Sequence, residues 1–525
     1  MTVTAAAAAD SADPESRGLA RWLNLSAGAS LVWLTIALIA LRLIAAGVLP
    51  LSGDEALYWS YSKHLAPGYI DHPFMNPLMI RIGTTLFGDT SFGVRFMSVM
   101  LAAPATWAVW RATSLLFADL KVAATAATLF NLTLAIGVGS LAATSDMVVV
   151  LTSAFLLYFL AEVEHTGKGS WWLAVGAAFG LGLCSKYTTA FFAVSILLWL
   201  ALVPERRKWL LNPWSWAGGA IALGLFTPVL AWNAAHQWAS FGYQSQRMVV
   251  EQFTLRYAFE LVGSQILLLS PPIAVLVVIG LCWPDRSGRM HGSVRVLLTS
   301  LAAPILVYFL WHSLHQRVQG NWPEPAFPAL VVAAAAAAHH CIGDGARVRA
   351  VAKAARRLSA PVGLSLAAFA FIQAALAIIP IGKGDPVARI LAYGMKPAAA
   401  RLDALRVKAG ATMFLTTDYT MRAWLSFYLP KGAAVEQIPE RIRWVDAPAP
   451  DAKALTGPMI YVCKDECAYL DGVRRTFQQV EYLETVTRER GGRVVGRYSA
   501  YRVDHPTRPA LEPVYPAMKT GARDE

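Results

Sequence analysis

Residues 52–59, SGDEALYW, follow directly on a run of roughly twenty apolar residues, which is the length that crosses a bilayer. They place Asp54 and Glu55 where such a run would leave the membrane. Ionisable residues are costly near hydrocarbon and are retained there mainly for function. Acids in a solvated loop, by contrast, are ordinary. Catalytic acids and solvated loop acids are therefore both open interpretations of this pair.

The composition predicts a polytopic membrane protein. The chain of 525 residues is 56% hydrophobic and 15% charged, against about 25% charged residues in an average soluble domain. Its net charge of +12 does not indicate nucleic acid, because basic residues cluster in short connections between apolar runs. Such clusters are typical of cytoplasmic loops beside anionic membrane lipids. They are Arg206, Arg207 and Lys208; Arg286, Arg289 and Arg295; and Arg347, Arg349, Lys353, Arg356 and Arg357.

Apolar stretches of spanning length predict about eleven transmembrane helices. With the amino terminus inside, this number places the more basic connections in the cytoplasm. We predict a cytoplasmic tail over residues 1–27 and an all-α transmembrane catalytic domain over 28–380, whose first extracytoplasmic loop is 50–90. The fifth and sixth spans are short and nearly abut. The spans begin near Gly28, Ser91, Lys121, Asp146, Trp171, Thr189, Trp214, Tyr257, Val296, Pro325 and Ala360.

A second domain is predicted after Pro380, where charged residues return and no later run has spanning length. We expect a small extracytoplasmic α/β domain over residues 381–505 and a flexible, proline-rich tail over 506–525. Buried or alternating apolar patterns predict its elements. These are strands at 411–417, 458–463 and 493–503, and a helix at 421–428.

Five cysteines divide into two kinds. Three lie singly in or beside apolar runs, which is typical of small buried side chains. Cys463 and Cys467 lie close together in the polar second domain. A local disulfide is one interpretation if that domain lies outside the cytoplasm. A metal pair is the other, although further cysteine or histidine ligands are lacking nearby.

Further ionisable residues are expected at the same membrane level as Asp54. Asp146 opens the fourth predicted span and Lys186 ends the fifth. Asp146 is open to an ordinary role in helix capping, and Lys186 to one in reaching the interface. Asp71 and His72 form an adjacent acid and imidazole pair that is open to metal binding. Loops 232–256 and 313–324 interleave polar and aromatic residues, which is typical of an interfacial belt or of a saccharide-binding surface.

Taken together, the ordered motifs resemble a known family. They resemble the bacterial branch of the dolichyl-phosphate-mannose protein mannosyltransferases, glycosyltransferase family 39, which includes the lipid A aminoarabinose and galacturonic acid transferases. The resemblance implies a GT-C fold, a polyprenyl-phosphate-linked sugar donor, and transfer on the periplasmic side of the inner membrane. The motifs are GDEALYW at 53–59, DHP at 71–73, TSD at 144–146, SKY at 185–187, WN at 232–233 and NWP at 321–323.

The resemblance assigns catalytic roles to Asp54 and Asp146. A hydroxyl acceptor is too weak an acid to ionise beforehand, so a carboxylate must take its proton during transfer, and Asp54 is the candidate base. The leaving phosphate needs cations, which Lys186 and Arg247 can supply. No cofactor is certain, and two roles stay open for Asp71 and His72: positioning the phosphate or holding a divalent metal ion. The substrate-binding residues predicted are Glu55, Tyr58, Lys186, Arg247 and His236.

We therefore predict an inverting glycosyltransferase that modifies lipid A, lipopolysaccharide, another envelope glycan or a protein. The alternative is a transporter or flippase for lipid-linked saccharides, which needs charges near the bilayer midplane and two related halves. A polymerase or ligase that attaches a preassembled glycan is a third possibility within the same membrane class. The predicted acids lie at one face of the membrane, and this favours an enzyme.

The predicted topology is tested by a reporter fused after Asp504. An odd number of spans from a cytoplasmic amino terminus places that residue outside the cytoplasm. Alkaline phosphatase fused there is expected to be active in intact cells, whereas a fusion after Lys208 is expected to be inactive. A cytoplasmic reporter after Asp504 would overturn the topology.

Overall fold

The computed structural model describes residues 14–247, 253–282, 292–340, 345–379, 381–430, 433–465 and 467–515. Several predictions fall outside these residues. They concern residues 1–13 of the amino-terminal tail, loop residues 248–252, the basic residues Arg286 and Arg289, and residues 516–525 of the tail.

Most of the chain is helical up to Leu376. The helices of this part are α1 (Pro14–Val48), α2 (Gly53–Lys63), α3 (Met75–Phe87), α4 (Ser91–Phe117), α5 (Leu120–Leu132), α6 (Leu134–Gly137), α7 (Ser145–Thr166), α8 (Trp171–Leu183), α9 (Phe191–Leu202), α10 (Pro213–Ala235), α11 (Ala239–Gln246), α12 (Arg256–Leu269), α13 (Pro271–Cys282), α14 (Gly292–His312), α15 (Phe327–His340) and α16 (Ala346–Leu376). Short 3₁₀ segments lie at Gly139–Leu141, Tyr187–Ala190, Pro204–Leu211 and Glu324–Ala326.

Six of the described helices are long and apolar enough to cross a membrane, and two bent helix pairs bring the number to eight. The six contain Leu31–Val48, Ser91–Phe117, Ser145–Thr166, Pro213–Ala235, Gly292–His312 and Ala346–Leu376. The protein is thus a helical multi-pass membrane protein, and the total of eleven spans stays a prediction. The fifth and sixth predicted spans are indeed two short helices, α8 and α9, of 13 and 12 residues.

Small residues allow close packing between the helices. A Cβ added to Gly176 of α8 would lie 2.0 Å from the carbonyl oxygen of Gly218 in α10. A Cβ added to Gly280 of α13 would lie 2.2 Å from that of Ala333 in α15. Glycine at such positions lets helix backbones approach, which is how membrane helices gain contact without a hydrophobic driving force.

A buried arginine stabilises the bend between α5 and α6. These helices meet at 64°, which interrupts the backbone hydrogen bonding of a helix. Arg42 of α1 is 1% exposed; its Nε donates to the Gly137 carbonyl at 3.2 Å and its Nη atoms donate to Asn131 Oδ1 at 3.3 Å. The arginine thus links α1 to the Asn131 side chain of α5 and to the last residue of α6.

The chain after residue 381 folds around a five-stranded mixed sheet. Its strand order is β2-β1-β3-β5-β4; β1 is parallel to β2 and β3, and β5 is antiparallel to β3 and β4. The predicted strands and helix are present, whereas β2, β4 and α18 have no counterpart in the predictions. The elements are α17 (Pro386–Ile390), α18 (Met395–Lys408), β1 (Met413–Thr416), α19 (Tyr419–Tyr428), β2 (Ala434–Gln437), β3 (Met459–Lys464), α20 (Leu470–Thr476), β4 (Phe477–Arg490) and β5 (Arg493–Pro506), with 3₁₀ segments at Gly382–Gly384 and Arg441–Trp444.

Two arginines at the end of β4 attach this sheet domain to the membrane helices. Arg490 forms a buried ion pair with Asp385 and donates to the carbonyls of Gln373 and Ala374, at the end of α16. Cations are favourable at a helix carboxyl terminus, where carbonyls have no helix partners. Arg488 donates to the carbonyl of Ala388 in α17 and to those of Leu391 and Tyr393 in the connection to α18. Helix α19 packs against α2, so the sheet domain reaches the segment that carries Asp54.

Cys463 and Cys467 form a disulfide, which decides between the two interpretations of this pair. It lies in a hydrophobic cluster with Leu415, Tyr461 and Val473. Helix α19 packs in a different cluster, together with α2. The disulfide therefore supports the face of the sheet that is remote from Asp54.

Loss of this disulfide is expected to lower stability without disturbing the rest of the fold. For so short a loop, the Cys463→Ser, Cys467→Ser double variant should lose about 2 kcal/mol of domain stability. Thermal unfolding of the full chain with and without dithiothreitol measures this. The control, Cys282→Ser, removes a free cysteine and should leave the response to dithiothreitol unchanged. A wild-type unfolding transition that ignores the reductant would contradict the prediction.

Candidate active site

Helix α2 begins with a capping box. The Ser52 hydroxyl accepts a hydrogen bond from the Glu55 N–H at 3.1 Å, and the Glu55 carboxylate accepts one from the Ser52 N–H at 2.7 Å. This reciprocal arrangement fixes the first turn of a helix. Its S-x-x-E spacing is visible in the sequence, although hydropathy alone predicts only a loop at 50–90. Asp54 therefore lies on the first turn of a rigid helix.

The Glu55 side chain also forms a buried ion pair with Arg95 of α4. Nε and Nη2 of Arg95 donate to the two carboxylate oxygens, each at 2.6 Å, and the same guanidinium donates to the carbonyls of Leu49 and Pro50. Glu55 Oε1 further accepts the Ala143 N–H at 3.1 Å. The pair thus joins the end of α1, the start of α2, and the segment that leads into α7. These bonds give Glu55 a positioning role.

Asp54 differs from its neighbour because its carboxylate faces an open cavity. It accepts a hydrogen bond from the Tyr419 hydroxyl at 3.2 Å, and no described lysine or arginine forms an ion pair with it. Burial by the surrounding protein and the negative charge of the nearby Asp71 raise the pKa of Asp54. The hydrogen bond from Tyr419 offsets part of this increase. Burial opposes ionisation of Glu55 too, but Arg95 outweighs it and holds the pKa of Glu55 below its ordinary value. Carboxyl groups with opposite shifts are the usual basis for different acid and base roles.

Asp146 and Lys186 contact each other directly. Lys186 Nζ lies 2.6 Å from Asp146 Oδ1, while Oδ2 accepts bonds from Asn321 at 2.8 Å and from Thr144 at 2.9 Å. The carboxylate therefore binds side chains and does not cap the α7 backbone. Lys186 is 5% exposed, so it does not extend to the interface. Because Lys186 is already paired with Asp146, the prediction that it is a free cation for a phosphate is weakened.

Asp71 forms an ion pair with Arg443 of the sheet domain. Its carboxylate also accepts the Tyr61 hydroxyl at 2.7 Å, and its carbonyl accepts Gln244 Nε2 at 2.6 Å. A metal ion on this carboxylate would have to lie against the Arg443 guanidinium. Within the described ranges, no group of three or more His, Cys, Asp or Glu residues is arranged to hold a metal. The residues do not fit the metal site predicted at Asp71 and His72.

The predicted site residues share one cavity of about 1220 Å³, with a single exception. His236 does not line it; that ring stacks on Trp232 at 4.2 Å, and its Nδ1 lies 2.7 Å from the Trp232 carbonyl. His72 lines the cavity, and burial and Lys186 lower the pKa of its imidazole to about 3. The predicted residues that line the cavity are Asp54, Glu55, Tyr58, Asp71, His72, Asp146, Lys186 and Arg247.

The sequence reasoning misses four residues of this site. Arg95 had a local signal, because an arginine inside an apolar helix is rare without a function. Tyr419 and Arg443 had none, since they lie in the sheet domain more than 300 residues from their partners. Arg389 of α17 also lines the cavity, and no described acid pairs with it.

Comparisons with known proteins find the same family that the motifs resemble. Residues 71–232 match the family model described as dolichyl-phosphate-mannose-protein mannosyltransferase. The chain is 32% identical over 146 residues to undecaprenyl phosphate-alpha-4-amino-4-deoxy-L-arabinose arabinosyl transferase 1 of Sodalis glossinidius, covering 26% of this chain and 24% of that protein. It is 23% identical over 292 residues to lipid A galacturonosyltransferase RgtD of Rhizobium johnstonii, covering 53% and 58%. The alignments thus span between about a quarter and somewhat over half of these relatives.

The fold is shared over almost the whole length. The crystal structure of ArnT from Cupriavidus metallidurans bound to undecaprenyl phosphate has a TM-score of 0.63 at 14% identity, covering 92% of this chain and 99% of that one. At this identity the likeness establishes the GT-C fold alone. Together with the family model, it confirms the resemblance predicted from the motifs.

The raised pKa of Asp54 is testable without any substrate. Carbodiimides modify protonated carboxyl groups, so labelling of Asp54 should persist to higher pH than labelling of the exposed Asp471. Tyr419→Phe removes a bond that favours the ionised form, and the labelling of Asp54 should then extend to still higher pH. Mass spectrometry of labelled peptides across a pH series measures both effects. Tyr482→Phe, on an exposed strand position, is the control, and equal shifts in both variants would contradict the assignment.

Proposed function

We propose, from the confirmed resemblance to the dolichyl-phosphate-mannose protein mannosyltransferases and from the cavity geometry, that this chain is an inverting glycosyltransferase. Its donor is a sugar linked to a polyprenyl phosphate, and its acceptor is a hydroxyl group of lipid A, lipopolysaccharide, another envelope glycan or a protein. The observation that carries the proposal is the state of Asp54. It is the cavity acid that has no cationic partner among the described residues, whereas Glu55, Asp71 and Asp146 each have one.

Asp54 acts as the general base in this scheme. The acceptor oxygen bonds to the anomeric carbon while its proton passes to the Asp54 carboxylate. The bond between that carbon and the phosphate oxygen breaks, and polyprenyl phosphate leaves with the bonding electrons. Because the acceptor enters opposite the leaving phosphate, a single displacement inverts the anomeric centre. A base with a raised pKa accepts the proton more readily than an ordinary aspartate does.

The cavity offers separate regions for the two halves of the donor. One wall is apolar and fits a polyprenyl chain, which is the least polar part of such a substrate. We assign the phosphate to Arg247 and Arg389, because their guanidinium groups line the cavity without an acidic partner in the described chain. The neutral His72 also faces this region, and its Nδ1 has no described hydrogen-bond partner. The apolar wall includes Leu267, Leu366, Phe369, Phe371, Ile379 and Ile390.

Asp146 and Lys186 form an ion pair in the cavity that also contains Asp54. A paired carboxylate with three donors is already stabilised as an anion, so Asp146 is a poor proton acceptor. We assign to it the positioning of Lys186, whose remaining N–H groups face the cavity. Tyr58 lies on the same side of α2 as Asp54 and is assigned to the transferred sugar.

The location of the reaction follows from the predicted topology. We propose that about eleven spans place the cavity and the sheet domain on the periplasmic side of the inner membrane. The named activities of the relatives, an arabinosyl transferase that uses undecaprenyl phosphate and a lipid A galacturonosyltransferase, support a lipid-linked donor and a lipid A acceptor. The transporter alternative is not proposed, because the acidic cluster is tied to the sheet domain by Tyr419 and Arg443.

Replacement of the base is the direct test. Asp54→Asn should reduce transfer by roughly a hundredfold to ten-thousandfold, since a positioned general base contributes about that much. Binding of the donor and the thermal unfolding of the protein should stay close to wild type. Mass spectrometry of envelope lipids and glycans from cells that carry each variant measures the product as the mass of one added sugar.

The matched control is Asp471→Asn, whose side chain is 80% exposed in the sheet domain. It should leave the product unchanged. A full yield of product from Asp54→Asn would overturn the assignment of the base. An accumulated lipid-linked precursor with no change in any single-sugar product would indicate transport or polymerisation.

A further inference from the structure

A second, smaller cavity lies where α2 meets the sheet domain. It has a volume of about 270 Å³ and is lined on several sides by aromatic rings. Tyr61 and Tyr69 stack with ring centroids 4.2 Å apart, and Trp444 lies 6.0 Å from Tyr61. Trp59, two residues before Tyr61 in α2, completes the set. All but Trp59 are buried, so the aromatic walls are held in place by packing.

The charges in this cavity are compensated. Each lysine or arginine of its described wall has an acidic partner, so none is available as a free cation for a phosphate. Aromatic rings beside compensated charges suit a ligand that has both apolar C–H surfaces and many hydroxyl groups. A hydrocarbon tail would leave the charged groups unsolvated, which is costly. The pairs are Lys63 with Asp89, Arg422 with Glu436, and Arg443 with Asp71.

The smaller cavity adjoins the catalytic one through a shared wall. Tyr61 and Arg443 line the smaller cavity, and both bind the carboxylate of Asp71, which lines the larger one. Helix α2 contributes Asp54 to the larger cavity and Trp59 to the smaller. Five residues of helix correspond to about 8 Å along its axis. This spacing is of the order of one sugar ring.

We propose that the smaller cavity binds a neutral sugar ring of the acceptor, next to the ring whose hydroxyl reaches Asp54. The assignment of this sugar ring to the acceptor rests on the proposed function, whereas the binding of a saccharide at Trp59 and Trp444 does not. The ring of Trp59, which is not buried, takes the C–H face of the sugar, and Glu436, Asp446 and the arginines exchange hydrogen bonds with its hydroxyl groups.

Titration calorimetry of the full chain in nanodiscs tests the proposal, with N,N′-diacetylchitobiose (chitobiose below) as the neutral disaccharide and inorganic phosphate as the anion. Chitobiose should bind with an affinity that changes less than twofold between low and high salt, because charge attraction is not its source. Trp59→Ala should weaken this binding at least tenfold, and Trp59→Phe, which keeps an aromatic face, should restore most of it. Trp238→Ala removes a half-exposed tryptophan outside both cavities and is the control. Its affinity should equal that of wild type.

The outcomes separate this proposal from the proposed function. Absence of chitobiose binding, competition by phosphate, or an equal effect of Trp59→Ala and Trp238→Ala would overturn the saccharide site. If sugar transfer is found without chitobiose binding, the site is wrong and the enzyme assignment stands. If chitobiose binds at Trp59 but no transfer occurs, the reverse holds. In transfer assays, Trp59→Ala should raise the KM for a glycan acceptor about tenfold and leave kcat within twofold.

Discussion

The buried ion pair between Glu55 and Arg95 is the constraint on which the candidate active site depends. Taking two charges out of water costs several kcal/mol per ion, and this is repaid only with good geometry and further hydrogen bonds. Here both carboxylate oxygens bind the guanidinium, and the rest of the network is backbone: the Ser52 and Ala143 N–H groups and two carbonyls at the end of α1. Removal of one partner of such a pair costs about 3–5 kcal/mol, so the pair strongly favours one arrangement of these segments. Asp54 lies on the first turn of α2 and Asp146 on the first turn of α7, so both acids lie at segments that the pair joins.

The remaining acids of the cavity differ from one another in their partners. Asp71 is paired with Arg443 and Asp146 with Lys186, so each of these two carboxylates holds its cation in place. Asp54 accepts a hydrogen bond from the Tyr419 hydroxyl and has no cationic partner among the described residues. Its pKa is raised by burial and by the negative charges of the neighbouring carboxylates. A site with several acids therefore has one that is suited to accept a proton. The distinction arises from the partners, since the acids themselves are chemically alike.

The sequence predicts what is encoded locally. Hydropathy gives the membrane class and the places of the apolar helices, and the polar residues at the ends of those helices identify eight of the residues that line the cavity. Asp54 and Glu55 show the limit: both line the cavity, but adjacent helix residues point about 100° apart, and only Glu55 reaches Arg95. The S-x-x-E spacing is the available signal for which one is buried. Tyr419 and Arg443 are not predictable in this way, because their contacts join residues that are distant in sequence and no periodic pattern relates them. The bend between α5 and α6 and its Arg42 donor belong to the same category.

These distant contacts make the sheet domain part of the active site. Without it, Asp54 would lose its hydroxyl donor, and Asp71 would be a partly buried carboxylate without its guanidinium. The nearby Asp54 would then experience a different field, since Asp71 is the second cause of its raised pKa after burial. Arg488 and Arg490 hold the domain against the end of α16 and the segments beyond it, which also line the catalytic cavity. Docking of the domain, shape of the cavity and protonation of Asp54 are therefore coupled through a few arginines, and the acid chemistry assigned to the membrane part requires both parts of the chain.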